Sequence, residues 1–381
     1  MSLYSTGTGR VSTGWMYGGM AVRMILEMRW HEQPDMAMMA FITPLEFEIR
    51  KRAWWLCFLF DTISSITAGR PSFVDPDEPM VDYPDDELWN SLDDDGFPTP
   101  STPGYAAWVQ QGKRGMLGIT GTRVASPATG SPFTTLRMAQ PSYNTLGQSL
   151  PSLYFCETAE MIVIFNRVVK YVRIHKSRRT QIGLIDDKLS TLDMQLKEFW
   201  GRLSDRARQE FQPTRFLPTG GVVEEEVLEL CGNANLHLLF HSATILLHRP
   251  ELTLQDFVWP TRASFDVCTH AANRIAIIAE RMLAAAPLLS HFSPAVNFPL
   301  FEAGMVHLVN ALVSSLIPPS PKANGQPGEP SAPTAEVMTR ARRSVAVTLE
   351  ALNRLRRYWA SAEAYHASLS KAARENGILP V

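Results

Sequence analysis

Cysteine is scarce in this chain and never paired in sequence: Cys57, Cys156, Cys231 and Cys268 form no C-x-x-C unit. Zinc fingers and ribbons need thiolates a few residues apart, so a metal site of that spacing is excluded. Each cysteine sits in an apolar helical pattern and is expected to be a reduced, buried thiol, which implies an intracellular, reducing compartment. The nucleophile elbow G-x-S-x-G, the P-loop glycine pattern and H-E-x-x-H are all missing, and with them three common routes to catalysis. The formal net charge is only -2, too little for the whole chain to hold nucleic acid by its field. No secretory leader is evident, because Met1 leads into the polar run STGTGRVSTG. An unbroken membrane-length apolar run is lacking too. The longest candidate, Phe298 to Ile317, holds Glu302, His307 and Asn310 and reads as a core helix. Strand-like alternation and fixed-period repeats are almost absent.

What is present is hydrophobic and helical. The chain of 381 residues, 45% hydrophobic and 19% charged, is long enough to bury a large core. Its organising stretch runs from Arg50 to Trp89. Arg50, Lys51 and Arg52 precede Trp54, Trp55, Leu56, Cys57, Phe58, Leu59 and Phe60 with no polar break, a pattern that predicts a buried helix over Arg50 to Ser65. Asp61 interrupts the apolar run. A carboxylate in a dry helix needs a cation or strong donors, so a partner is expected among Arg50, Arg52, Arg70 or Arg23. Gly69 is placed to end the helix in a left-handed conformation and Pro71 prevents its resumption. Beyond it an acidic, proline-punctuated segment, Asp75 to Asp86, must lie extended across a surface.

This combination resembles the middle homology region of fungal zinc-cluster transcription factors, the fungal-specific transcription factor domain. The positions that carry the resemblance are Arg50, Arg52, Trp54, Trp55, Asp61, Gly69, Arg70, Pro71, Pro84, Asp85 and Asp86. Upstream, the amphipathic helix Gly14 to Met28 supplies Gly19, Ala21, Arg23, Met24, Glu27 and Met28, followed by His31, in the places of a second family pattern. His31 has no partner at ligand spacing and is expected to cap the helix or touch the core. Family members carry further helices before this one, so the resemblance implies a truncated N-terminus. A third match, "L-L-H-R-P-x-L", is met by Leu246, Leu247, His248, Arg249, Pro250 and Leu252, and a fourth, "C-x-x-A-A-x-x-I", by Cys268, Ala271, Ala272 and Ile275.

Periodicity places the remaining elements. Ile162, Phe165, Val168, Val169 and Val172 line one helix that runs out in Arg173, His175, Lys176, Arg178 and Arg179, cations that suit a helix C-terminus. Ile185, Leu189, Leu192, Leu196, Phe199 and Leu203 form a stripe, with Trp200 beside it, that packs against an antiparallel neighbour. Glu224, Glu225 and Glu226 favour a helix N-terminus, and that helix continues to Pro250. Further helices are predicted over Ser264 to Leu283 and Phe298 to Ile317. A last long one carries Ala341, Val345, Thr348, Leu352, Leu355 and Trp359 on one face, and a helix stop is expected near Gly377. Its arginines, Arg340, Arg342, Arg343, Arg354, Arg356 and Arg357, read as a solvated face rather than a nucleic-acid patch.

The fold class is all-α: antiparallel helix pairs packed around one extended core, with a long disordered insertion. The expected organisation is an N-terminal part over 1–89, the Gly-, Pro-, Ser- and Thr-rich insertion over 90–150, a helical continuation over 151–317, a Pro-rich linker over 318–333 and a C-terminal helical segment over 334–381.

No catalytic, cofactor-binding or metal-binding residue is assigned. A magnesium-dependent isoprenoid cyclase is the enzymatic alternative, since it is also all-α. Asp85, Asp86 and Glu87, or Asp93, Asp94 and Asp95, would be its aspartate cluster, but they lie beside prolines and glycines rather than on a helix. Its second motif fails because Asn310 and Ser314 are followed by Pro318, which cannot ligate a metal. The resemblance instead implies the effector-sensing, activity-controlling region of a nuclear regulator of RNA polymerase II transcription. No cofactor is expected in this chain, zinc being confined to a missing N-terminal six-cysteine module that makes the DNA contacts. The partners implied are transcription machinery or regulatory proteins, with a small-molecule effector and a homodimer left open and no membrane. A stand-alone helical scaffold, or a competitor acting through partners, is the other reading. Trp54, Trp55, Asp61, Gly69, Arg70 and Pro71 are expected to be structural rather than chemical.

Overall fold

A computed structural model describes residues 1–35, 38, 42–78, 80–90, 154–177, 187–209, 224–249, 262–316 and 332–378. The insertion expected at 90–150 lies almost wholly outside these residues. Most of the 318–333 linker, together with Arg178, Arg179, Pro250 and Asp93 to Asp95, lies outside them as well. The described residues contain helices and turns and no strand. The helices are α1 (Ser2–Gly7), α2 (Val11–Glu27), α3 (Pro44–Ala68), α4 (Asp86–Asn90), α5 (Phe155–Ser177), α6 (Asp187–Arg202), α7 (Asp205–Arg208), α8 (Glu224–His248), α9 (Arg262–Ala284), α10 (Asn297–Leu316), α11 (Ala332–Leu355) and α12 (Ser361–Glu375). None of them is long and apolar enough to cross a membrane.

The central helix starts earlier than its apolar run suggests. Thr43 caps α3, its Oγ1 accepting the amide of Glu46, and Pro44 occupies the first turn, where its missing N–H costs nothing. Gly69 stops the helix at φ 65°, a left-handed conformation in which only glycine escapes a Cβ clash. The chain then retraces α3 towards its start. Val74 lies beside Asp61, Asp82 beside Trp55, Tyr83 beside Lys51 and Asp85 beside Glu48.

That return decides the direction of the next long helix. Arg52 lies against Phe155, and ten residues further along α3 Thr62 meets Asn166, so α3 and α5 run parallel. By contrast α2 and α3 are antiparallel, with Ser12 at Arg70 and His31 on Trp54. So are α8 and α9, with Ser264 at His248 and Cys268 at Ile245.

The extended core falls into two apolar clusters that share α8. One face of α8 gives Leu236, Leu239, Ala243 and Leu247 to a cluster with α2, α3, α5 and α6. The other gives Leu230, Ala234, Leu238 and Ile245 to a cluster with α9 to α12. A helix apolar on nearly every side has to be buried on nearly every side. The C-terminal helix expected to include Trp359 is broken in two. The amides of Tyr358 and Trp359 both return to the carbonyl of Leu355, and the Trp359 indole N–H donates to Phe292 O at 2.8 Å. This turn carries neither glycine nor proline, so nothing local announces it. Gly377, at φ 67°, follows the end of α12 near the expected stop.

Candidate functional site

The sequence motifs converge on two clasps, one in each half of the molecule. In the first, Asp61 is 1% exposed, and its Oδ2 accepts the Ser72 hydroxyl at 2.6 Å and the amides of Phe73 and Val74 at 2.7 and 3.0 Å. None of the four expected arginines reaches it. Arg50 pairs with Glu46, Arg52 with Asp86, Arg70 bonds Ser12, and Arg23 lies over the Phe73 ring. The Gly69 turn explains the correction, because it folds consecutive backbone donors back over the carboxylate. Burial pushes the Asp61 carboxyl above its ordinary range, against the opposing pull of those donors. Asn166 of α5 closes the network by donating to both Ser72 and Thr62.

The tryptophan pair and the basic start build the same clasp outward. Trp54 is buried against His31 and Phe58, which gives His31 a core contact. Trp55 donates its indole N–H to Asp82 O at 3.1 Å and packs on Tyr83. Arg70 lies 4.7 Å from the Trp15 ring centroid and so ties α2 to the turn. The carbonyl of Pro71 accepts the Ser65 hydroxyl, and Pro84 is buried in the returning segment. Asp85 caps α4 by accepting the Leu88 amide, while its own amide donates to the buried Glu48. Glu48 in turn pairs with Lys51. Asp86 accepts from Arg52 on one oxygen and from the amides of Phe155 and Cys156 on the other. This carboxylate therefore caps α5.

The second clasp gathers the later motifs. His248 Nε2 lies 3.3 Å from Asp193 of α6, and Arg249 reaches Glu302 of α10 at 3.2 Å. Glu302 is buried and also accepts the Ser242 hydroxyl at 2.6 Å. The Cys268 thiol donates to Ile245 O at 3.8 Å. Two of the four cysteines depart from expectation: Cys57 and Cys156 are only half-buried. Burial still pushes the Cys156 and Cys231 thiols up to about 12, which suppresses thiolate chemistry.

Between α6, α8 and α9 lies an open cavity of about 660 Å³. Trp200 and Phe240 stack at 4.3 Å along its wall, and His241, 4% exposed, lines it from α8. Burial holds the neighbouring His237 down to about 4 although its Nε2 bonds Ala207 O at 2.8 Å, and it holds His241 well below the ordinary range. Both rings are neutral at physiological pH. Among the described residues no three His, Cys, Asp or Glu side chains are placed to hold a metal ion together.

Sequence reasoning missed Glu48, Ser72, Asn166 and the cavity. Glu48 had a signal in its spacing to Lys51 and Arg52, the i,i+3 and i,i+4 positions of a helix. Ser72 and Asn166 had none, since hydrogen-bonding side chains separated by more than 90 residues meet only through the fold.

Comparison with known proteins agrees with the motif reading. The family model described as "Fungal specific transcription factor domain" matches residues 1–198. An uncharacterized transcriptional regulatory protein of Schizosaccharomyces pombe is 32% identical over 71 residues, 19% of this chain and 12% of the relative. The Zn(2)-C6 fungal-type transcription factor FTF1c of Fusarium oxysporum f. sp. lycopersici is 31% identical over 107 residues, 26% of this chain and 11% of the relative. The matched part of the chain thus spans little more than a tenth of the length of these relatives. No solved structure matches. With its first 198 residues matched by the family model and the motif residues gathered into two clasps, the chain belongs to the fungal specific transcription factor domain family.

Proposed function

We propose that this chain is the regulatory region of a fungal zinc-cluster transcription factor, acting in the nucleus to control transcription by RNA polymerase II. DNA is contacted through a six-cysteine zinc module that this sequence does not contain, and zinc is confined to that module. The observation that carries the reading is the use made of the motif residues. Asp61, Asp85 and Asp86 accept backbone amides, and His248 and Arg249 pair with Asp193 and Glu302, which suits a brace between helices rather than acid–base or metal chemistry. A helical bundle whose parts are joined by a few polar clasps can hold two packings. A small-molecule effector, a second copy or a regulatory protein that prefers one of them shifts the population.

The test is a nuclear reporter assay with the chain fused to a foreign DNA-binding module. A several-fold change in output relative to the module alone is expected. Unchanged output from a fusion that is folded and bound at its promoter would sink the regulatory reading in favour of a scaffold.

A further inference from the structure

The outer side of α2 is apolar where a surface helix is ordinarily charged. Gly14, Gly18, Val22 and Ile25 form its buried line, packed towards α1 and α3. On the opposite side Met16, Met20 and Met24 follow one another at intervals of one turn, with Tyr17 and Met28 beside them and Tyr4 on neighbouring α1, each 40% to 64% exposed. Arg23 and Glu27 are the only charged residues of the helix. Eight of the seventeen large hydrophobic side chains exposed among the described residues fall between Met1 and Met28, which makes a patch rather than the scatter usual on a protein surface.

The size of the patch separates a monomer from a dimer. At about 200 Å² per large side chain, the fractions exposed between Met1 and Met28 leave on the order of 800 Å² of apolar surface. A monomer rarely exposes a patch above about 600 Å², whereas each partner in a standard interface buries about 800 Å². The charges select the occupant. A two-fold axis at Met20, with two α2 helices antiparallel, sets Met16 opposite Met24 of the partner subunit and Tyr17 opposite the partner's Arg23. Glu27 then faces the partner's Thr13, with the partner's Arg10 one turn beyond. No like charges meet. Arg23 gains a second ring face in addition to Phe73, and the flexible thioethers fill the seam. A surface complementary to itself in this way is what an isologous pair requires.

We propose that two copies of this chain pair through α2 about a two-fold axis at Met20. The pairing does not rest on the regulatory reading, since a scaffold of the same fold would pair identically.

Sedimentation equilibrium of the full chain measures the pairing. The wild type dimerises with a Kd in the micromolar range or tighter. Met20→Lys, which sets two ammonium groups face to face on the axis, weakens it by at least about a hundredfold, and its circular dichroism spectrum matches the wild type because Met20 is exposed. Met20→Cys sets two thiols opposite each other and joins two copies when oxidised by copper phenanthroline in air, whereas Val337→Cys, exposed on α11, joins no more than the wild type. A dimer that Met20→Lys leaves intact, or that Met20→Cys fails to join, overturns the proposal, because the contact then lies elsewhere. A wild type that stays monomeric at about 100 μM overturns it too. Peroxide then separates the other occupants: oxidation of Met16, Met20 and Met24 to sulfoxides marks a face left for a different protein, and resistance marks a face covered within the chain. The reporter assay is read separately. A dimer without reporter activity keeps the pairing and removes the regulatory reading, and an active monomer does the reverse.

Discussion

Asp86 accepts the amide of Phe155, 69 residues further along the chain, at 3.1 Å. The same carboxylate holds Arg52 at 2.7 Å. The chain therefore leaves α4 and re-enters at α5 within one hydrogen-bonded cluster, and this closure does not depend on the length of what lies between.

Replacing residues 91–153 with a short Gly-Ser linker should leave thermal stability within about 1 kcal/mol of the parent, because loop-closure entropy changes slowly with length. Asp86→Ala in the same background should cost about 1–2 kcal/mol by removing a helix cap and the partner of Arg52. Denaturant melts followed by circular dichroism measure both. Failure of the shortened chain to fold would show that 91–153 contributes packing.

Asp61→Ala strands the amides of Phe73 and Val74 and should destabilise by about 2–4 kcal/mol. Asp61→Asn keeps an acceptor oxygen and should cost less than half as much. Burial raises the folded carboxyl above its unfolded value, so this group contributes more stability as pH falls from the folded pKa towards the unfolded one. Equal losses in the two variants would mean that the negative charge, rather than the acceptor, holds the Gly69 turn.

Arg249→Ala leaves Glu302 with fewer donors inside the bundle and should cost about 1–3 kcal/mol. Combining it with Glu302→Leu should cost less than the sum of the single changes, because the double variant no longer holds a buried Glu302 carboxylate short of the Arg249 donor. Additive losses would show that the two side chains do not brace α8 against α10.

Acid should unfold the domain early. His237 and His307 are pushed down to about 4 by burial, below the ordinary histidine value near 6.5. A depressed histidine gives stability that is complete above the unfolded pKa and is lost as pH falls through the folded one, because the unfolded chain binds the proton first. Stability should be flat above about pH 7.5 and should drop by about 1 kcal/mol per histidine at pH 5.5. Resonances of His237 or His307 that titrate near 6.5 in the folded protein would contradict the burial.

Gly69→Ala should cost about 1 kcal/mol through its left-handed backbone alone, since no atom lies near an added Cβ. Gly19→Ala fails for another reason, with its Cβ 2.7 Å from the Phe73 ring. Phe73→Leu should relieve Gly19→Ala and leave Gly69→Ala unchanged, as double-variant melts would show.

The sequence by itself determined the helices, the left-handed stop at Gly69 and the family. Each is written along the chain itself: a 3.6-residue period, a missing Cβ, and a family motif spread in order from Arg50 to Asp86. The tertiary structure alone decided that Asp61 bonds backbone amides instead of an arginine, that α3 and α5 run parallel, and that α11 breaks before Trp359. It also placed Trp200, His241 and Arg274 around one cavity. These depend on which distant surfaces meet, and the periodicity of a single helix says which face is buried without saying against what.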